Sequence, residues 1–258
     1  MRLKDKTALI TGAGGGIGKA IAKAYVKEGA SVIICGRNED SLKDACQEIS
    51  KSFNFHLMHT AHQILPHGEI EYVKADVVNK DDIKRLANRV EEKWNKLDIL
   101  VNNASILGVR ASILDYPEDI WEEVINVNLN GQFFVIKAIL PFLLKSKSGS
   151  IINVSSSVGR RGKALWGAYA ASKFGLEGLT QVLADELSSA NVRVNSVNPG
   201  GTRTEMRARA YPEEDPMTLP MPEDIVPVFL YLASDESVGI TGKEFNARDW
   251  LNTKQQIK

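Results

Sequence analysis

Short apolar runs alternate with longer stretches of helical periodicity from one end of the chain to the other. Residues 7–11 (TALIT), 31–35 (SVIIC), 70–75, 98–101 (DILV), 150–154, 192–197 and 243–247 read as strands. Between them, residues 17–28, 40–50, 81–94, 117–144, 166–189 and 223–233 read as helices, the first with Ile17, Ile21, Ala24 and Tyr25 on one face. Pro117 suits the first turn of the long fourth helix, and Pro141 is expected to end or kink it. The alternation predicts an α/β fold: one domain over residues 1–258, with a doubly wound parallel sheet and helices on both faces. In such sheets ligands bind beyond the carboxyl ends of the strands, where strand order reverses. Residues at those ends therefore carry positional meaning.

One connection does not fit the short links of such a fold. Residues 51–70 (KSFNFHLMHTAHQILPHGEI) contain all four histidines, His56, His59, His62 and His67. Clustered imidazoles invite a metal. However, the segment leads from a helix to the start of a strand, at the edge away from the ligand end, and holds no cysteine and only Glu69 as a carboxylate. It reads as a surface insertion or a contact between subunits, and no metal site is assigned.

Charge narrows the choice of partners. Lys and Arg total 32, as do Asp and Glu, which leaves no footprint for nucleic acid or an anionic membrane. A small molecule in a pocket is the expected partner. Cys35 and Cys46 form no CxxC pair, so a disulfide framework is not expected and a reducing, cytoplasmic compartment fits best. No secretory leader and no membrane-spanning run is read.

The first strand runs directly into Thr11-Gly12-Ala13-Gly14-Gly15-Gly16-Ile17-Gly18, which opens a helix. Glycines allow a tight turn and close backbone approach to a pyrophosphate, whose charge the helix N-terminus favours. The second strand ends in Cys35-Gly36-Arg37-Asn38, where a carboxylate would instead accept bonds from a ribose 2′-hydroxyl. Gly36 leaves room and Arg37 offers a planar fork to a 2′-phosphate, so NADP(H) is expected, with NAD(H) the alternative. The glycine loop itself contains no basic residue. Further on, Tyr169 and Lys173 stand at i and i+4 of one helix. A phenol titrating near ~10 is a poor acid–base catalyst at neutral pH, and an adjacent ammonium is expected to bring it down.

Taken together, these motifs make the chain resemble the short-chain dehydrogenase/reductase family over almost its full length, which implies a Rossmann-type sheet. The resemblance rests on TGxxxGIG at 11–18, Asp76-Val77, Asn102-Asn103-Ala104, Asn128, Ser156, YxxxK at 169–173, and Pro199-Gly200 with Thr202 and Thr204. It implies that Ser156 binds the substrate oxygen, Tyr169 gives or takes its proton, and Lys173 holds the nicotinamide ribose and tunes the tyrosine. Asn128, preferred to Asn126, would hold a water linking Lys173 to solvent; Ser156 is preferred to its neighbours Ser155 and Ser157. The cofactor contacts it implies are Gly12, Gly14, Gly15, Gly16, Ile17, Gly18, Arg37, Asp76, Val77, Asn102, Ala104, Tyr169, Lys173, Pro199, Gly200, Thr202 and Thr204. Asn103 reads as a turn residue.

Three departures stand out. Ser105 replaces the glycine of the family's Asn-Asn-Ala-Gly and is expected to alter the turn over the nicotinamide. Phe245-Asn-Ala-Arg-Asp-Trp250 replaces a Val-Asp-Gly-Gly-like ending, which bears on subunit contacts or pocket closure. Residues 205–222 are short for a substrate lid and rich in proline and charge. Arg203, Arg207 and Arg209 there offer cations to an acidic substrate, although such side chains are more often solvated.

The leading expectation is an oxidoreductase (EC 1.1.1.-) interconverting a ketone, of the 3-oxoacyl type, and a secondary alcohol. An NAD-dependent alcohol, polyol or steroid dehydrogenase is the second enzymatic reading, opposed by Gly36-Arg37. A non-catalytic NADP-binding sensor would lose Tyr169 or Lys173, and a nucleotide-sugar epimerase would need a longer C-terminal region. The resemblance also implies a homodimer or homotetramer built on helices 117–144 and 166–189, although Phe133-Phe134-Val135-Ile136 serves equally well as core.

Overall fold

The computed structural model describes residues 1–59 and 68–251. Seven strands, β1 (Thr7–Thr11), β2 (Ser31–Gly36), β3 (Ile70–Lys74), β4 (Ile99–Asn102), β5 (Gly149–Val154), β6 (Val192–Asn198) and β7 (Glu244–Asn246), form a single sheet. Its order is β3-β2-β1-β4-β5-β6-β7, and every pairing is parallel. Strand order therefore reverses between β1 and β4. The Rossmann-type architecture expected from the alternation is present.

Every residue of β1 and β5 is buried, as a parallel sheet covered on both faces requires. Alternate side chains enter opposite cores. Ala8, Ile10, Ile34 and Ile152 meet α1 (Gly16–Lys27), α2 (Glu39–His59) and α8 (Pro227–Ala233) on one face. Leu9, Ile33, Leu100 and Ile151 meet α3 (Lys80–Trp94), α5 (Gly131–Leu143) and α6 (Gly167–Glu186) on the other. Burying each such aliphatic side chain contributes about 1.5–3 kcal/mol. None of the described helices is long and apolar enough to cross a membrane.

Three expectations are corrected. First, the second helix does not stop at Ser50. It continues to His59, since no glycine or proline interrupts residues 51–59. His56 and His59 thus belong to a helix and not to an irregular insertion, while His62 and His67 lie outside the described residues. Second, residues 117–144 are not one helix. Pro117 is the extended residue before α4 (Glu118–Ile125), a π-helical turn spans Asn126–Asn130, and α5 follows. Pro141 is accommodated inside α5, which ends two residues later. Third, residues 223–233 divide into a 3₁₀ turn, Pro222–Ile225, and α8, because Pro227 lacks the N–H that a continuous helix needs.

Candidate active site

At the switch point the glycine turn is clamped against the end of β4. The Thr11 hydroxyl accepts from the backbone N–H groups of Asn103 and Ala104, each at 3.0 Å. The Asn103 amide donates back to the carbonyls of Thr11 at 2.9 Å and Gly12 at 3.0 Å. Asn103 is thus the turn residue the sequence suggested. Gly12 has φ +64°, and a Cβ there would stand 2.7 Å from the Ala104 Cα, so both conformation and space demand glycine. Gly14 packs on Ser41 and Gly18 on the Asn103 amide, whereas Gly15 faces open space. α1 begins at Gly16 with no capping side chain. Its first-turn N–H groups beside an open glycine fit the pyrophosphate of a dinucleotide.

Arg37 follows β2 with its side chain 56% exposed, and its Nη1 lies 4.0 Å from Glu123 on α4. It is therefore available to a phosphate, with a carboxylate neighbour that the sequence did not reveal. Asp76, just past β3, accepts from the Val78 N–H. Its own N–H donates to Asp82, a bond that holds the Asp82 carboxyl below the usual carboxylate range. Val77 is buried against Gly131 and can offer only its backbone to a nucleotide. The buried Asn102 amide donates to Asn153 on β5.

α6 supplies Tyr169, Lys173 and Glu177 from one face at successive i+4 spacing. All three are buried. The Lys173 ammonium donates to the Val154 carbonyl at 2.9 Å, and burial pushes it down to about 8 while Glu177 pulls it up. Burial likewise raises the Tyr169 phenol, outweighing the Ser105 and Ser156 hydroxyls that favour its ionised form. The lowering expected from Lys173 is not found. Its Nζ lies 5.6 Å from the phenol ring centre and is itself partly disarmed by burial.

Ser156 is half-buried with an extended backbone (φ −162°), whereas the Ser155 hydroxyl is sequestered without a partner among the described residues. All three serines, Ser155, Ser156 and Ser157, line the same cavity. Asn128 sits in the π-helical turn, a feature common at functional sites. Its amide accepts from the Ile106 N–H at 2.8 Å and donates to the Ile106 carbonyl at 2.9 Å and the Ser172 hydroxyl at 3.2 Å. It thereby fixes the chain after Ala104 against α6, and its side chain is spent on that task. Asn126 instead pairs with Asn130.

A cavity of about 440 Å³ gathers these groups. Gly12, Gly15, Gly16 and Ile17 line it from one side, and Ser156, Tyr169 and Lys173 from another. Pro199, Gly200, Thr202 and Thr204 close it beyond β6. Gly14, Gly18, Arg37, Asp76, Val77, Asn102, Ala104 and Asn128 do not line it. Gly200 adopts φ +71° under Arg248, whose Nη2 donates to the Gly201 carbonyl at 2.5 Å. The unusual C-terminal sequence therefore takes part in closing this loop.

The lid is built differently. α7 (Glu205–Ala210) is capped by Thr204, whose hydroxyl accepts from the Arg207 N–H. Arg203 donates to the carbonyls of Pro216 and Leu219, Arg207 forms a two-pronged pair with Glu214 at 2.6 Å, and Arg209 pairs with Glu205. None of these three arginines is a spare cation for an acidic substrate. Each is engaged in holding the lid together.

Several contributors escaped the sequence reading. The buried Gln132 donates to the Ala104 carbonyl at 2.6 Å, which nothing local announces. Glu177, held by Arg160 at 3.1 Å, could have been found by extending the i+4 line beyond Lys173. Ser105 was visible only as a departure. Its buried hydroxyl lines the cavity beside Tyr169 without a well-formed hydrogen bond of its own.

Residues 6–215 match the family model described as short chain dehydrogenase. The chain is 42% identical over 248 residues to the uncharacterized oxidoreductase YciK of Escherichia coli K12, covering 95% of this chain and 93% of that protein. It is 38% identical over 252 residues to the 3-oxoacyl-[acyl-carrier-protein] reductase FabG of Thermotoga maritima, covering 94% and 96%. Among solved structures, a short chain dehydrogenase from Escherichia coli CFT073 complexed with NADPH superposes with a TM-score of 0.86 at 42% identity, covering 96% of this chain and 98% of that one. With the glycine turn, the Ser-Tyr-Lys group and the sheet order all in agreement, the chain belongs to the short-chain dehydrogenase/reductase family of oxidoreductases, which act on CH–OH and C=O groups with NAD(P).

Proposed function

We propose that this protein interconverts a ketone and a secondary alcohol with NADP(H), using Tyr169 as general acid and base. The observation that carries the proposal is the convergence of Ser156, Tyr169 and Lys173 on one cavity whose opposite wall is the glycine turn. When bound, the nicotinamide supplies or accepts the hydride at the carbonyl carbon. Ser156 would donate a hydrogen bond to the substrate oxygen and fix it beside the phenol. Tyr169 would give its proton to that oxygen during reduction, and Lys173, one turn further along the helix, would help restore it and would hold the nicotinamide ribose. Lys173, poised near neutrality at about 8, would carry charge or release it at little cost. Arg37 would receive the 2′-phosphate and Asp76 the adenine, with the backbone of Val77 alongside. Asn102 and Ala104 would underlie the nicotinamide, whose carboxamide would meet the Pro199–Thr202 loop.

Similarity to FabG makes 3-oxoacyl thioesters a natural first substrate to assay, and the neighbour complexed with NADPH supports the cofactor preference. Phe133, Phe174 and Val182 are exposed on α5 and α6, which supports a homodimer or homotetramer through those helices. The test is NADPH and NADH binding to wild type and Arg37→Ala. The expected outcome is tighter NADPH binding in wild type, with that preference falling about 10–100-fold in the variant, as for loss of a charge-assisted bidentate contact. Equal or tighter binding of NADH to wild type would turn the reading toward an NAD-dependent dehydrogenase.

A further inference from the structure

Lys163 lines the catalytic cavity and Arg110 a second cavity that shares Leu107 and Ala210 with it, and neither cation has a carboxylate partner among the described residues. Tyr211 lies at their centre. Lys163 donates to its hydroxyl at 3.0 Å, and the Arg110 guanidinium stands 4.8 Å from its ring centre. A third cation, Arg207, stacks on the same ring at 3.9 Å, but Glu214 neutralises it. Arg110 uses one N–H on the Ala210 carbonyl and leaves the rest of its fork available. Lys163 retains two further protons, and the Tyr211 O–H, accepting from Lys163, remains free to donate.

Trp166 connects this cluster to the chemistry. Its ring centre lies 5.6 Å from that of Tyr169 and 5.9 Å from that of Tyr211, and Arg110 lies 5.5 Å above it. It is only 7% exposed, and its indole N–H has no hydrogen-bond partner among the described residues. An apolar ring thus separates the proton-transferring phenol from a group of donors without an acid. Leu165, two residues beyond Lys163, holds φ +69°, a conformation that disfavours leucine.

We infer that Lys163, Tyr211 and Arg110 form a carboxylate subsite, so that the substrate is a short oxo acid or hydroxy acid whose chain crosses Trp166. This rests on the proposed ketone–alcohol chemistry at Tyr169. A carboxylate matches the cluster because its two oxygens accept from a guanidinium fork and an ammonium together, and because it would balance the unpaired charge. Of the arginines singled out from the lid sequence, Arg207 and Arg209 are spent on ion pairs and Arg203 on the carbonyls of Pro216 and Leu219. The cations that remain come from two other loops.

The test uses sodium 4-oxopentanoate and 6-oxoheptanoate, each matched with its methyl ester, titrated into wild type and the Lys163→Ala/Arg110→Ala double variant saturated with NADP⁺, which has no hydride to give to a ketone. Both residues are exposed, and because Arg110 also touches Ala210 and Trp166, a thermal melt of the double variant checks that its fold is kept. At least one acid is expected to bind about tenfold tighter than its ester, a preference typical of a partly solvated charge contact, and to lose that preference in the double variant. Added salt should erode the same preference. An acid-to-ester ratio near one in wild type, or a preference that survives the double variant, overturns the subsite. The ratio is read by binding, without turnover. Failure to reduce any ketone would count against the Tyr169 chemistry alone.

Discussion

The two walls of the cavity are held by different means. On the glycine-turn side, one threonine hydroxyl and one asparagine amide tie backbone to backbone, and every partner lies within a few residues of a motif. On the lid side, Arg203, Arg207 and Arg209 hold a short helix and its following turns through charged side chains, while Arg248 reaches across 47 residues to Gly201. Backbone clamps fix a constant shape suited to a constant cofactor. Side-chain pairs can be exchanged without refolding the sheet, which suits the wall that chooses a substrate.

The largest way to test this contrast lies between the walls, at the phenol. Tyr169→Phe should lower kcat for ketone reduction by about 10³-fold, within the usual range for losing a general acid. Because the ring and its contact with Trp166 are kept, NADPH affinity should stay within a few-fold of wild type. Steady-state kinetics with parallel cofactor titration would show whether chemistry and binding separate in this way.

A smaller effect is expected on the backbone-clamped wall. Gly12→Ala forces a Cβ to within 2.7 Å of the Ala104 Cα at positive φ, so about 1–3 kcal/mol of stability should be lost together with cofactor affinity. Thermal melts with and without NADPH would measure both. An unchanged melt would mean that this turn is as tolerant as the lid.

The smallest effect concerns Ser105, where the family motif carries glycine. Its hydroxyl favours the Tyr169 phenolate against the burial that raises the phenol. Removing it in Ser105→Gly should raise the phenol further, so the acid limb of the alcohol-oxidation profile should move to higher pH. A pH–rate profile that stays in place would leave Ser105 as filler in the turn.

How legible each part was depends on the distance over which its contacts act. The YxxxK pair was readable because i and i+4 necessarily share a helix face. The glycine turn was readable because its function follows from the strand before it and the helix after it. The break of the long helix at Asn126–Asn130 was not, since no proline or glycine within it marks a π-helical turn, and the proline present was absorbed. The second helix ran past its expected end for the converse reason: residues 51–59 contain nothing to stop it.

Alone, the sequence determined the α/β alternation, the strand ends where ligands bind, and the shared helix face of Tyr169 and Lys173, because each follows from local periodicity or spacing; Ser156 was singled out by the family resemblance. Only the tertiary structure decided which charges are spent and which remain. Arg207 is neutralised by Glu214, whereas Lys163 and Arg110, apart in the chain, meet over Tyr211 without an acid. It also decided that burial, acting through groups distant in sequence, raises Tyr169 and lowers Lys173. Pairing and desolvation depend on what the fold packs around a group, and no spacing along the chain encodes that.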